Sequence, residues 1–309
     1  MKVLVLGCGS MGRRRVETAL GLGCDVAVYD PARDLERLVI ALLPHTTHNA
    51  DLARQQEVAA FAREEDAWAW KPDVAVVATP TATHGPILQA YADAERSIPI
   101  FVEKPLALSV DDAPDNGFAS MFDGVTAQVG YSWRFHPLVC AFRQKMRELG
   151  TPRAVSIWVA SDMRTWPGAN YADALLECSH EIDTALDLFG PAELAPYAPG
   201  RDVLRDAWRL ELRHESGCRT IVTIAGRAAR PARGLRALFD EYEGGYDVPI
   251  DDPRSAEALE ISYARELRYF LDVVAGRTPP DYEGSPRPAT LADGLAVLRL
   301  IDRARELVV

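Results

Sequence analysis

Lysine is scarce in this chain, four residues against thirty arginines, and Lys104 stands where an amine can do chemistry. It lies in Val102-Glu103-Lys104-Pro105, directly after the apolar run Ile98-Pro99-Ile100-Phe101-Val102. Such a run reads as a buried strand, and a lysine at a strand's carboxyl end can enter the crevice where open α/β sheets bind ligands. A solvated lysine ahead of a turn is the plainer reading of the same residues. Upstream, Gly7-Cys8-Gly9-Ser10-Met11-Gly12 falls between a predicted strand, Lys2–Leu6, and a predicted helix, Met11–Leu20. In that setting Gly7 allows a tight turn, Gly9 lets backbone approach a pyrophosphate, and Gly12 allows close helix–strand packing. The amides at the helix start, around Ser10 and Met11, then face the phosphates. Asp30 ends the second predicted strand 18 residues after Gly12, and its carboxylate can accept from both ribose hydroxyls of an adenosine. A 2′-phosphate beside that carboxylate is repelled, which favours NAD. Arg33 and Arg13 to Arg15 keep NADP open, because they can clamp a phosphate.

The elements that must position these residues alternate through the first half. Strands are expected at Lys2–Leu6, Asp25–Tyr29, Asp73–Ala78 and Pro99–Val102. Helical patterns cover Met11–Leu20, Asp34–Leu43, Ala53–Trp70 and Pro86–Ala94. Strands alternating with helices imply βαβ units and a parallel sheet, with right-handed crossovers placing helices on both faces. The pattern changes near residue 122. Strands then follow at Val125–Tyr131, Arg153–Ala160, Trp208–His214, Thr220–Ala225 and Leu235–Tyr242, with a hairpin signal at Glu215-Ser216-Gly217. Helices are expected at Pro137–Leu149, which has Pro at its start, and at Ala172–Phe189, Ala256–Ala275 and Ala289–Leu307. This reads as an α/β nucleotide-binding domain over 1–122 and an α+β domain over 123–309 with a mainly antiparallel sheet.

Composition excludes several functions. The 309 residues carry 45 acidic against 34 basic side chains, a net charge of −11. That argues against nonspecific nucleic-acid binding and against anionic membrane surfaces. No apolar run is long enough to span a membrane, and the N-terminus lacks the pattern of a secretory signal. The five cysteines, Cys8, Cys24, Cys140, Cys178 and Cys218, form no CxxC pair. They read as reduced thiols in a cytoplasmic protein without a metal site.

Four further motifs follow in order: Ala78-Thr79-Pro80-Thr81-Ala82-Thr83-His84, Glu103-Lys104-Pro105, Tyr131-Ser132-Trp133-Arg134-Phe135-His136-Pro137, and Glu177-Cys178-Ser179-His180-Glu181-Ile182-Asp183. In this order and spacing they resemble the glucose–fructose oxidoreductase / inositol dehydrogenase (Gfo/Idh/MocA) family. The resemblance implies an N-terminal Rossmann domain. It also implies a C-terminal domain whose open sheet carries the substrate site on one face and often an oligomer interface on the other. It gives Thr79 and Pro80 a place beside the cofactor's ribose and nicotinamide, with His84 near the same strand end. Glu103 resembles the residue contacting the nicotinamide ribose, Lys104 the lysine at the reacting carbon, and His180 the acid/base histidine. Many members carry an aspartate four residues before that histidine, where this chain has Leu176. Glu177, three residues before His180, can share a helical face with it.

Together these residues suit hydride exchange between nicotinamide and a secondary alcohol or ketone. The hydroxyl loses its proton as the hydride leaves, which needs a base with a pKa near the working pH. Histidine fits unperturbed, lysine when burial or a positive neighbour lowers its pKa. His180 is taken as the acid/base and Lys104 as its electrostatic partner, with the reverse assignment open, in a cleft between the two domains. Arg134 either binds a substrate hydroxyl, a carboxylate or the cofactor carboxamide, or braces the strand–helix junction as an ion pair. Trp166 and Tyr171 either stack on a sugar ring or pack a core. Glu177 either orients His180 and holds a substrate hydroxyl or is solvated. The expected substrate is a sugar, amino-sugar or cyclitol, and the expected assembly a homodimer or homotetramer. Two alternatives stand beside this: an NAD-dependent glycoside hydrolase acting by transient oxidation and elimination, and a non-catalytic NAD-binding sensor.

Overall fold

A computed structural model describes residues 1–31, 58–113, 122, 124–165, 173–195, 200–202, 207–239, 246–249 and 254–308. The helix expected at Asp34–Leu43 lies outside the described residues. The chain divides into two compact units. The first comprises Met1–Gly130, Tyr263–Pro280 and Pro288–Ala292. The second comprises Tyr131–Ser262, Asp281–Arg287 and Asp293–Val309.

The first unit is built on six parallel strands in the order β3-β2-β1-β4-β5-β6. They are β1 (Lys2–Leu6), β2 (Asp25–Tyr29), β3 (Val58–Phe61), β4 (Val74–Val77), β5 (Ile100–Glu103) and β6 (Ala127–Gly130). Residues on β1, β2 and β4 are almost all buried, as the near-continuous valine runs require of a sheet covered on both faces. Helix α1 (Ser10–Gly21) follows β1, α2 (Glu64–Ala69) follows β3, and α3 (His84–Asp93) follows β4. Strand order reverses between β1 and β4, the switch point at which such sheets bind ligands.

Two expectations change here. Val58–Phe61 falls within the predicted helix 53–70 but is a strand, paired in parallel with Val26–Tyr29. Its Val-Ala-Ala-Phe has little strand signal of its own, and the edge of β2 decides the outcome. The division falls after Gly130 rather than at 122, because β6 completes the first sheet beside β5. Later chain also joins this unit. Leu267, Phe270 and Leu271 belong to the same buried cluster as Val3, Val5, Val26, Val74 and Phe101.

The second unit holds a seven-stranded, mainly antiparallel sheet. Its strands are β7 (Ala154–Asp162), β8 (Ala192–Leu194), β9 (Gly200–Asp202), β10 (Ala207–His214), β11 (Arg219–Ala225), β12 (Arg227–Leu238) and β13 (Tyr246–Pro249). The path is β13-β12-β7-β11-β10-β8, with β9 on β10, and only the β7–β11 pair is parallel. The predicted hairpin joins β10 to β11, with Gly217 at φ 86°. Alternation along β10 buries Trp208, Leu210, Leu212 and His214. It leaves Arg209 and Arg213 exposed. Helix α4 (Pro137–Leu149) starts at a capping His136, whose Nδ1 accepts the Leu138 N–H at 3.3 Å. Where one helix was expected over 172–189 there are two, α5 (Ala174–Glu177) and α6 (Ser179–Phe189), separated at Cys178. Asp173 caps α5 and is tied to Arg305. Helices α7 (Arg254–Val274) and α8 (Leu291–Val308) complete the chain. Among the described residues no helix is long and apolar enough to cross a membrane.

Candidate functional site

In the first unit the sequence-identified residues gather at the carboxyl ends of the parallel strands. Gly7 has φ 87°, and a Cβ there would lie 2.8 Å from the backbone of Ala78 and Thr79. The glycine turn after β1 is therefore pressed against the exit of β4. A Cβ on Gly12 would overlap the Gly7 carbonyl, while one on Gly9 would meet nothing within 4 Å. Two glycines thus close the turn and the third leaves an open backbone face. The first turn of α1, which begins at Ser10 and Met11, carries no acidic residue, so its amides face no built-in counter-charge. Asp30 is 8% exposed, and its Oδ2 accepts the Cys8 N–H at 2.8 Å. That bond fixes the carboxylate at the end of β2, beside the turn. The arrangement fits a dinucleotide: an open backbone cradle for phosphates and an anchored carboxylate for a ribose diol.

The arginines weighed for a 2′-phosphate divide. Arg15 is fully buried, its Nε 2.5 Å from Glu103 Oε1 and an Nη 2.8 Å from Glu266. Burial opposes its charge, but the two carboxylates outweigh it and its pKa rises. Arg14 lies over the Tyr263 ring, 4.8 Å from its centroid. Arg13 is exposed, and Arg33 lies outside the described residues.

Glu103 ends β5, only 4% exposed, with Oε1 committed to Arg15. It braces α1 against the sheet, a use the motif alone did not disclose. Lys104 follows at the strand's carboxyl end and is half-buried; the Lys104–Pro105 peptide bond is cis. Thr79 and Pro80 leave β4 beside the glycine turn, and the Thr79 hydroxyl accepts from Thr83 at 2.8 Å. His84 lies near the same strand end, with its ring turned inward. It is 1% exposed, and both ring nitrogens lie 2.9 Å from backbone carbonyls, of Pro105 and of Thr79. Both nitrogens are thus engaged by backbone.

In the second unit His180 is the second residue of α6. Its imidazole stacks on Trp133, with centroids 5.9 Å apart and planes at 17°. It also meets the edge of Tyr131 at 5.7 Å and 76°. The Arg233 guanidinium lies 4.6 Å from the Trp133 centroid and 3.5 Å from Glu181. One stacked and one edge-on aromatic ring therefore restrain the plane of a half-buried imidazole. Burial pushes the Tyr131 phenol far above its ordinary range, so it stays neutral beside His180. Glu177 ends α5, and His180 lies in the first turn of α6, beyond the turn at Cys178.

Arg134, expected either at the substrate or in a bracing ion pair, is surrounded by carboxylates. It is fully buried and grips Asp183 with two bonds, 2.9 and 2.6 Å, with Asp187 at 3.5 Å and Asp293 at 3.6 Å. Arg143 pairs with Asp187, and Arg287 with Asp293. This is the bracing ion pair of the strand–helix junction, and it seats α6, hence His180. Burial pushes the Asp183 carboxyl up to about 6 even beside Arg134. Trp166 and Tyr171 lie outside the described residues.

A six-stranded parallel sheet, a glycine turn and an anchored acid at the next strand's end define a dinucleotide-binding unit. Residues 1–131 match the GFO_IDH_MocA family model, described as an oxidoreductase family with an NAD-binding Rossmann fold. Among curated proteins, the uncharacterized oxidoreductase YrbE of Bacillus subtilis is 29% identical over 136 residues, 41% of this chain and 38% of YrbE. The scyllo-inositol 2-dehydrogenase (NAD(+)) of the same organism is 35% identical over 82 residues, 26% of this chain and 23% of that enzyme. These matches span well under half of either relative. A myo-inositol dehydrogenase from Corynebacterium glutamicum shares the fold, with a TM-score of 0.73 and 18% identity over 99% of this chain and 96% of that one.

Proposed function

We propose that this protein is an NAD-dependent oxidoreductase that oxidises a secondary alcohol, or reduces the matching ketone, of a sugar, amino-sugar or cyclitol. One observation carries the reading: Lys104 leaves β5 at the same carboxyl edge of the parallel sheet that holds the glycine turn and Asp30. Bound NAD supplies the hydride acceptor. The side chains of this protein do the rest. His180 takes the hydroxyl proton during oxidation and returns it in the reverse direction. Trp133 and Tyr131 restrain the plane of its ring. Lys104, as an ammonium, stabilises the negative charge that gathers on the reacting oxygen. Asp30 selects NAD over NADP by repelling a 2′-phosphate.

The partial likeness to an inositol dehydrogenase supports a cyclitol-like substrate, with Glu177, Trp166 and Tyr171 as candidate contacts. We assign the exposed face of the second sheet, which presents Arg209, Arg213 and Arg219, to assembly of a homodimer or homotetramer. Five free cysteines suit a cytoplasmic setting.

The test is a panel of hexoses, amino-sugars and inositols offered with NAD or NADP, with nicotinamide reduction followed by absorbance. Turnover of at least one polyol, faster with NAD, is expected. If NAD binds by titration but no panel member is oxidised and no corresponding ketone is reduced, the assignment fails.

A further inference from the structure

His84 opens α3 with its side chain sealed from solvent, 1% exposed. Its Nδ1 lies 2.9 Å from the Pro105 carbonyl oxygen and its Nε2 2.9 Å from that of Thr79. The two carbonyls belong to different loops. Thr79 leaves β4 against the glycine turn, and Pro105 follows Lys104 out of β5. The ring thus bridges the exits of two neighbouring parallel strands. Carbonyl oxygens only accept, so a neutral imidazole donates to one of them and an imidazolium to both. Burial lowers the basicity of His84, opposed by the two carbonyls and by the charge of Glu103, itself paired with Arg15. In either protonation state the ring fills the space between the loops and holds at least one of them.

We propose that His84 is a positioning residue, tying the loop of Thr79 to the loop of Lys104 and so fixing the lysine relative to the nicotinamide end of the cofactor. The inference rests on the reading of Lys104 as a catalytic group. Proton-transfer and charge-stabilising groups act only when placed closely, and a displacement of about 1 Å costs on the order of 100-fold in rate. A strut between adjacent loops is what such placement needs.

The experiment exploits the scarcity of lysine. The full-length protein, its His84→Ala variant and its His84→Gln variant are treated with trinitrobenzenesulfonate, with and without NAD. Labelling of each lysine is followed by peptide mass spectrometry. Lys2, Lys71 and Lys145 report any general loosening. Loss of a tethering hydrogen bond should raise Lys104 labelling about fivefold in His84→Ala, the change expected from one net hydrogen bond. The rise in His84→Gln should be smaller, because its amide donates from one side only, and the other three lysines should stay unchanged. In parallel, kcat should fall more than the NAD KM rises. Should His84→Ala fail to fold, His84→Gln decides alone. Lys104 labelling that moves no more than that of Lys71 and Lys145 in the folded variants overturns the tether. Failure of the catalytic reading looks different: Lys104→Ala would then turn over normally while labelling still responded to His84.

Discussion

Replacing Arg134 by methionine separates a structural arginine from a substrate-binding one. In the folded protein its guanidinium is sealed from water and holds Asp183 by two bonds, with Asp187 close behind. Asp183 is itself fully buried and Asp187 nearly so. Methionine keeps the bulk but leaves these carboxylates without their central cation. Breaking a buried pair from one side costs about 3–5 kcal/mol. For a unit of this size each kcal/mol lowers Tm by about 2–4 °C, so a loss of roughly 6–20 °C is expected. The loss should depend on pH. Burial already lifts Asp183 from an ordinary 3.8 to about 6. A carboxyl with a raised folded pKa contributes stability that is full below its unfolded value and is lost as pH rises through the folded one. Without Arg134 that window extends upward, so the variant's deficit should be smaller at acid pH than at pH 8. The double variant Arg134→Met/Asp183→Leu should recover part of the loss, because it removes the stranded charge along with its partner. Thermal unfolding followed by circular dichroism at several pH values reads all three. An Arg134→Met protein that melts with the wild type, yet shows a raised substrate KM, would refute the bracing role and restore Arg134 to the substrate.

Asp30→Ala should weaken NAD about tenfold and NADP less, measured by fluorescence titration, since the lost group binds a ribose hydroxyl in one and repels a phosphate in the other; equal weakening removes Asp30 from the ribose site. Gly12→Ala should reduce NAD affinity by at least tenfold, because the added methyl overlaps the Gly7 carbonyl and the phosphate turn must open; calorimetric titration showing wild-type affinity would contradict that geometry. Lys104→Ala and His180→Ala should each lower turnover by roughly 100-fold while keeping NAD binding, the usual size for a proton-transfer group. Near-normal turnover in both would remove them from the chemistry.

Much of the frame could be read from the chain. Lys2–Leu6, Asp25–Tyr29 and Pro137–Leu149 coincide with their expected bounds; Gly7 closes the first, and Pro137 opens and Gly150 closes the last. The glycine turn and Asp30 were equally legible, since fingerprint and spacing are local. What stayed hidden was burial and distant pairing. Glu103 adjoins Lys104, yet its carboxylate belongs to Arg15, 88 residues away. The second partner of Arg15, Glu266, lies 251 residues off, and no local pattern links the two. Arg134 and His84 sit inside motifs that look catalytic, and only the fold shows that both are buried and bonded to protein groups. For Arg134 the ion pair weighed from the sequence is present with Asp183. Between Glu177 and His180 the expected continuous helix is broken by a turn at Cys178.

The return of Tyr263–Pro280 to the first unit bears on how the chain comes to be folded during synthesis. Nascent domains ordinarily settle in order from the N-terminus. Here the nucleotide-binding half emerges early but lacks Glu266, Leu267, Phe270 and Leu271 until most of the polypeptide has left the ribosome. Meanwhile Arg15 would wait with one of its carboxylates unborn, and the apolar patch awaiting α7 would be a natural hold for a chaperone.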